Sequence, residues 1–220
     1  MFNHNRGLWG YTGVATDGEP LTVQSTGMGG PSAAIVLHEL IVLGVTRAIR
    51  VGTCGALDPA LRLGDLVVAR EAIAADGTSA ALGAGELTWA DPALCDALSD
   101  RAGLALSDRA GLSHGQSSPH GGAEEAGGRA SHRGRIVSTD VFYERDSQRN
   151  LDWRARGAIA VEMEASALFA LGAAAGIQVA CILAVSDTFD GPDARTRIGD
   201  EALVSAAEAM GSAAAAALAL

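Results

Sequence analysis

Two carboxylates, Glu162 and Glu164, flank Met163 inside the apolar string AVEMEASALFAL. An ionised carboxylate is costly to desolvate, so in such surroundings it is either matched by a protein group or open to a ligand. Matched internally, Glu162 meets a core arginine and Glu164 favours a helix N-terminus. Open to a ligand, a carboxylate accepts two hydroxyl hydrogen bonds and suits a neutral polyol. A third acid, Asp187, follows Ser186 at the end of the apolar run VACILAV. The carboxyl end of a strand is where ligands of open α/β sheets gather. There Asp187 either caps the next turn or, with its pKa raised by partial desolvation, gives a proton to a basic ring nitrogen of a leaving group. Arg50 immediately precedes a strand end, with Gly52, Thr53 and Gly55 following. An arginine fork, a threonine hydroxyl and exposed turn amides together hold phosphate without Mg²⁺ or lysine. The turn Gly27, Met28, Gly29, Gly30 offers further amides or close backbone approach. Neither glycine stretch matches GxGxxG or GxxxxGKS/T, so a dinucleotide enzyme or P-loop ATPase is unsupported.

The elements that must position these groups alternate between strand and helix. LTVQST at 21–26 reads as a strand, GMGGPS as a turn, and AAIVLHELIVLG as a helix ending near Gly44, with Pro31 tolerated in its first turn. RAIRV at 47–51 is a strand opening into a turn at GTCGA, and LVVARE at 66–71 is another strand. The spacing of Leu94, Ala97, Leu98 and Leu104 predicts an amphipathic helix from Asp91 to Leu104. Residues 111–134, rich in Gly, Ser and His, offer almost nothing to a core and read as a flexible rim loop. Its His114, His120 and His132 are too irregularly spaced for a metal site. Beyond it come a strand and exit loop at 135–143, a helix at 147–157, a strand at 158–163, a helix at 164–176, a buried strand at 177–188 and an alanine-rich helix at 199–219. The alternation favours a parallel or mixed sheet with helices on its faces.

At 220 residues one α/β domain is expected, burying roughly 70% of its extended-chain surface without disulfide or metal. With 16 basic against 26 acidic residues, the formal charge of -10 disfavours a nucleic-acid partner while leaving room for one arginine pocket. Cys54, Cys95 and Cys181 lack zinc or redox spacing and read as small buried side chains of a reducing compartment. No apolar stretch reaches a membrane span and MFNHNRG has no signal core, which gives a cytoplasmic expectation.

The strings GMGGPSAAIVLHEL, AIRVGTCGAL, VSTDVFY, AVEMEASALFALGAAAG and AVSDT resemble, in order and separation, successive motifs of the purine nucleoside and uridine phosphorylase family. The resemblance runs from about residue 5 to the C-terminus. It implies a three-layer α/β sandwich around a mixed, partly barrel-like sheet, and dimers or hexamers built from dimers. It also implies reversible phosphorolysis of a nucleoside, inorganic phosphate being the co-substrate and no cofactor or metal being needed. By resemblance Arg50, Thr53 and Gly52 bind phosphate, joined by Arg6 from a neighbouring subunit. Met163 and Glu164 bind ribose with Glu162 beside them, while Phe142, Ser186 and Asp187 meet the base, Asp187 as its acid. Arg195 and Arg197 both lie near the position of the family's catalytic arginine. The sequence starts after the position of the family's usual opening strand and GDP-containing turn, so the expectation is either a truncated start or a partly lost phosphate site. Asp187 favours a purine; Thr53 and EAIAADGTSA resemble the uridine branch. A nucleosidase using water and a non-catalytic nucleoside binder are the other readings.

Overall fold

The computed structural model describes residues 1, 3–15, 17–112, 129–144, 146–189 and 195–219. A 3-10 turn at Asn5–Gly7 leads into a hairpin of β1 (Gly10–Val14) and β2 (Pro20–Gln24). There follow α1 (Gly30–Val42), β3 (Arg47–Ala56), β4 (Leu66–Ala75), α2 (Gly77–Ala81), β5 (Leu87–Trp89), α3 (Pro92–Leu112) and β6 (Ser131–Thr139). The chain continues with α4 (Ser147–Ala155), β7 (Ala158–Glu162), α5 (Ala165–Ala175), β8 (Gln178–Phe189), β9 (Arg195–Arg197) and α6 (Asp200–Leu218).

Seven strands form one mixed sheet in the order β5-β4-β6-β7-β3-β8-β9. Leu66–Val68 of β4 also pair antiparallel with Ile182–Ala184 of β8, so β4, β6, β7, β3 and β8 close into a small barrel. A strand covered on both faces needs a continuous apolar run rather than alternation. Accordingly β8, with QVACILAVSDTF, is buried from Val179 to Asp187. Helices α3 and α6 pack together on one side of the sheet, and α1, α2 and α5 on the other, giving the α/β sandwich. The alanines of α6 do what their size allows: Ala206, Ala209, Ala213 and Ala217 are buried against the core with Met210. Cys54, Cys95 and Cys181 are free thiols in that core. No helix among the described residues is long and apolar enough to cross a membrane.

Several boundaries differ from the sequence reading. GTCGA is not a turn: β3 continues through Ala56, its register on β8 shifting between Cys54 and Gly55, because glycine tolerates an irregular strand as well as a turn. The proposed loop 111–134 is shortened at both ends, by α3 through Leu112 and β6 from Ser131, and its centre, with His114 and His120, lies outside the described residues. His132 belongs to β6 and its Nε2 lies 3.0 Å from Asp65 Oδ2. The strands β1, β5 and β9 and the helix α2, each of five residues or fewer, were not anticipated.

From Arg47 to Cys54 β3 is paired only with β8 among the described strands, β7 joining the opposite edge only at Gly55 and Ala56. Among the described strands the hairpin β1–β2 pairs only with itself, with one further bridge from Gly10 to Asn3.

Candidate active site

The ends of β3, β7 and β8 and the glycine turn before α1 open onto one cleft of about 870 Å³. Every residue that the resemblance assigns to phosphate, ribose or base lines it except Arg6. Arg6 stands exposed in the N-terminal 3-10 turn with a left-handed φ of 54°, and within one chain it does not join the others.

Arg50 is the hub. Its Nε donates to Glu162 Oε2 at 2.9 Å and its Nη2 pairs with Glu164 Oε2. The guanidinium lies back along β3 over Gly52, where a Cβ would stand 3.0 Å from it; side chains two apart share a strand face, so a larger residue there would push the guanidinium aside by a few tenths of an ångström. Burial alone would lower the Arg50 pKa, but the carboxylates of Glu162 and Glu164 reverse that and drive it up, so the cation is permanent. Burial pushes the Cys54 and Cys181 thiols up, and both stay neutral.

The two glutamates divide their work. Glu162 takes Arg50 Nε, the Ser138 hydroxyl, Glu164 N at 2.8 Å and Ala165 N at 2.9 Å. Those last two amides open α5, so the carboxylate caps the helix at the positive end of its dipole. With these donors around it Glu162 is the anchor of Arg50 rather than a free acceptor. Glu164 accepts Gly29 N at 2.5 Å and binds Arg50, leaving lone pairs toward the cleft. Gly29 presents that amide from φ 88°, a conformation costly for any other residue. Burial raises the Glu164 pKa above the usual carboxylate value, opposed by Arg50 and the Gly29 amide. Both internal matches considered from sequence, a core arginine for Glu162 and a helix start at Glu164, are therefore present together with an open cleft.

At the tip of β8, Asp187 is held by side chains, and the turn it was expected to cap, 190–194, lies outside the described residues. Arg195 Nε donates to Oδ1 at 2.8 Å, Arg197 Nε lies 3.2 Å from the same oxygen, and Ser186 Oγ donates to Oδ2 at 2.7 Å. The expected rise in its pKa is reversed. Burial pushes the carboxyl up, but the hydrogen bonds from Arg195 and Ser186 and both arginine charges hold it below the usual carboxylate range. Sequence left Arg195 and Arg197 equal; the structure separates them. Arg195 lines the cleft and stacks its guanidinium 4.6 Å from the centre of the Phe142 ring, whereas Arg197 is mostly exposed and does not line it. Phe142 is half exposed at the mouth beside Tyr143. Thr53 and Met163 also face the cleft. Ser138, the donor to Glu162, was missed, although a hydroxyl at the end of the apolar RIV run was its signal. Among the described residues no group of three His, Cys, Asp or Glu side chains is placed to hold a metal.

The sheet, its barrel closure and this cleft define a class of enzyme fold, and comparison with known proteins agrees: the chain belongs to the phosphorylase superfamily, matched over residues 1–220. It is 35% identical over 188 residues to the DeoD-type purine nucleoside phosphorylase of Clostridium novyi, covering 85% of this chain and 72% of that one. The guanosine phosphorylase of Halorubrum lacusprofundi is 37% identical over 171 residues, 77% of this chain and 61% of the relative. The DeoD-type purine nucleoside phosphorylase of Streptococcus uberis is 34% identical over 198 residues, 89% and 74% of the two chains.

Proposed function

We infer that the protein is a purine nucleoside phosphorylase, catalysing reversible phosphorolysis of a purine nucleoside to free base and ribose 1-phosphate. The observation that carries this reading is that one cleft unites an anion binder, a hydroxyl acceptor and an acid beside an aromatic ring. These are Arg50 with Thr53, Glu164 with Met163, and Asp187 with Phe142. The names of the relatives point the same way.

In the forward reaction a phosphate oxygen forms the bond to C1′ as the C1′–N9 bond breaks, and the electron pair leaves on the purine, which takes a proton at N7. Arg50, with Thr53 and Gly52 beside it, fixes the phosphate; positioning supplies much of the rate because oriented phosphate is already a competent nucleophile. Glu164 and Met163 hold the ribose, and Ser186 supports Asp187. In the ligand-free arrangement Asp187 is an anion. Burial favours the protonated form that N7 needs and opposes the Arg195 and Ser186 hydrogen bonds that hold the ligand-free carboxyl low. Inorganic phosphate is the co-substrate and no cofactor enters. Arg6, exposed and outside its own cleft, is assigned to the phosphate pocket of a neighbouring subunit in a dimer or a hexamer built as a trimer of dimers. The buried free thiols suit the cytoplasm.

The test is to incubate the protein with adenosine, inosine, guanosine and uridine, with and without phosphate. Phosphate-dependent release of purine with formation of ribose 1-phosphate is expected. Turnover that ignores phosphate would sink the reading in favour of a nucleosidase, and preference for uridine would move it to the pyrimidine branch.

A further inference from the structure

A buried polar network lies behind the cleft, and its hydrogens can be placed by donor counting. Asp76 is an acceptor that takes both the amide and the hydroxyl of Ser79, each at 2.7 Å. With the Ser79 proton committed, the 2.8 Å contact between Ser79 and Ser166 has Ser166 as donor. Thr88 Oγ1 shares its one proton between Ser166 Oγ at 3.2 Å and the Ala72 carbonyl at 3.4 Å. One line of protons therefore runs from Thr88 through Ser166 and Ser79 to Asp76. A second line starts where Ser166 N donates to Ser138 Oγ at 2.8 Å, which leaves the Ser138 proton to go to Glu162 Oε1. Glu162 then holds Arg50 through Nε. Ser79, Ser166 and Ser138 are at most 1% exposed, so no solvent can substitute for a lost partner.

We propose that Ser138 is a positioning residue for the phosphate site, setting the rotamer of Glu162 and through it the direction of the Arg50 guanidinium. Without the Ser138 hydroxyl, Glu162 Oε1 keeps only the Ala165 amide, at 3.1 Å. Oε2 keeps the Glu164 and Ala165 amides, so the carboxylate is free to pivot about that atom and the bond from Arg50 Nε loses its fixed direction. Arg50 retains Glu164, which belongs to the ribose subsite, so the guanidinium shifts toward the sugar and away from the anion. The effect falls on phosphate first. The inference rests on the phosphorylase reading for its kinetic consequence, but not for the hydrogen-bond chain itself.

The experiment compares Ser138→Ala and Ser138→Cys with Ser138→Thr and with Ser79→Ala. Ser138→Cys keeps the volume with a weak donor, and Ser138→Thr keeps the hydroxyl. Ser79→Ala damages the same buried network at a residue that does not touch Glu162. For Ser138→Ala and Ser138→Cys the KM for inorganic phosphate is expected to rise about tenfold, the loss of one hydrogen bond to a charged group, with the KM for inosine changing less than about threefold. Ser138→Thr returns the phosphate KM to within about threefold of the starting value, and Ser79→Ala lowers the melting temperature while leaving it there. Equal rises in both KM values, or a phosphate KM that follows melting temperature across all four variants, would overturn the proposal. The Arg50 Nε–H resonance of the ligand-free protein gives an independent reading. It is expected to lose its exchange protection in Ser138→Ala and Ser138→Cys but not in Ser79→Ala, and unchanged protection overturns the role. If the unsubstituted protein shows no phosphate-dependent turnover, the phosphorylase reading has failed, while this resonance still decides the role of Ser138.

Discussion

Replacing Asp187 by Asn keeps the volume and the hydrogen-bond acceptor but removes the proton and the charge. In the structure the amide oxygen can still take Arg195 Nε or the Ser186 hydroxyl, so the local frame is retained. Arg195 has 29% of its side chain exposed and can be hydrated, which discounts the loss of its ion pair to about 1–2 kcal/mol of stability. The kinetic loss is larger: a positioned general acid contributes roughly 10²–10⁴ in rate, and a fall of about 10²–10³ in kcat on inosine is expected. The assay pairs inosine with its N7-methylated analogue at saturating phosphate, following base release by ultraviolet absorbance. The methylated purine already carries the positive charge that protonation supplies, so its departure needs no acid, and Asp187→Asn is expected to slow it less than about tenfold. Equal slowing of both nucleosides would refute the assignment of Asp187 as proton donor and make it a structural partner of Arg195.

Arg195→Ala and Arg197→Ala should separate cleanly. The first removes a 2.8 Å hydrogen bond and the stacking on Phe142, with an expected fall in kcat/KM for inosine of about 30-fold; the second removes an exposed 3.2 Å partner, with less than about threefold. Comparable effects would contradict the division between them. For Glu164→Gln, loss of a charge-assisted contact is expected to reduce the preference for ribose over 2′-deoxyribose nucleosides about tenfold in kcat/KM, and an unaltered preference counts against its hydroxyl contact. The stability assigned to Asp187 has a definite sign. Its folded carboxyl titrates below the usual 3.8, so its contribution is present above that pH and is lost as pH falls through the folded value. Urea unfolding from pH 3 to 6 should therefore show the gap between the native protein and Asp187→Asn closing on the acid side, and a gap that widens there would reverse the reasoning.

The legible part of the fold was the part written in long periodic segments: α1, α5, α6 and the buried run of β8 differ from expectation by a residue or two. The short elements carry no period to read. Strand β1 is exposed at four of its five positions, α2 is one turn of GTSAA, and β9 exists because it pairs with the tip of β8. Glycine misled at GTCGA, since the same freedom serves a turn and an irregular strand. The site was legible wherever a charge interrupted an apolar run, as at Glu162, Glu164 and Asp187. It was illegible where the partner lay far along the chain or across a turn. Nothing local announces that Ser138 serves Glu162 or that Arg195 rather than Arg197 faces the cleft. The direction of the Asp187 pKa was misjudged for that reason, because burial is visible in sequence and a partnering arginine is not.

The half-paired β3 has a consequence for how copies of the protein meet. Along Arg47–Cys54 the side away from β8 offers backbone donors and acceptors to the cleft, and Val51 is 42% exposed there. A net charge of -10 repels other copies, but salt screens that repulsion beyond about 8–10 Å. Inside that distance an open ladder accepts any extended backbone, whatever its sequence. Sheet edges are commonly guarded by outward charges. Here the two charges are Arg47, which is exposed, and Arg50, which is turned inward onto its glutamates. Anchoring Arg50 for chemistry thus leaves a single sentry on this stretch of backbone, and crowding or concentration will probe it.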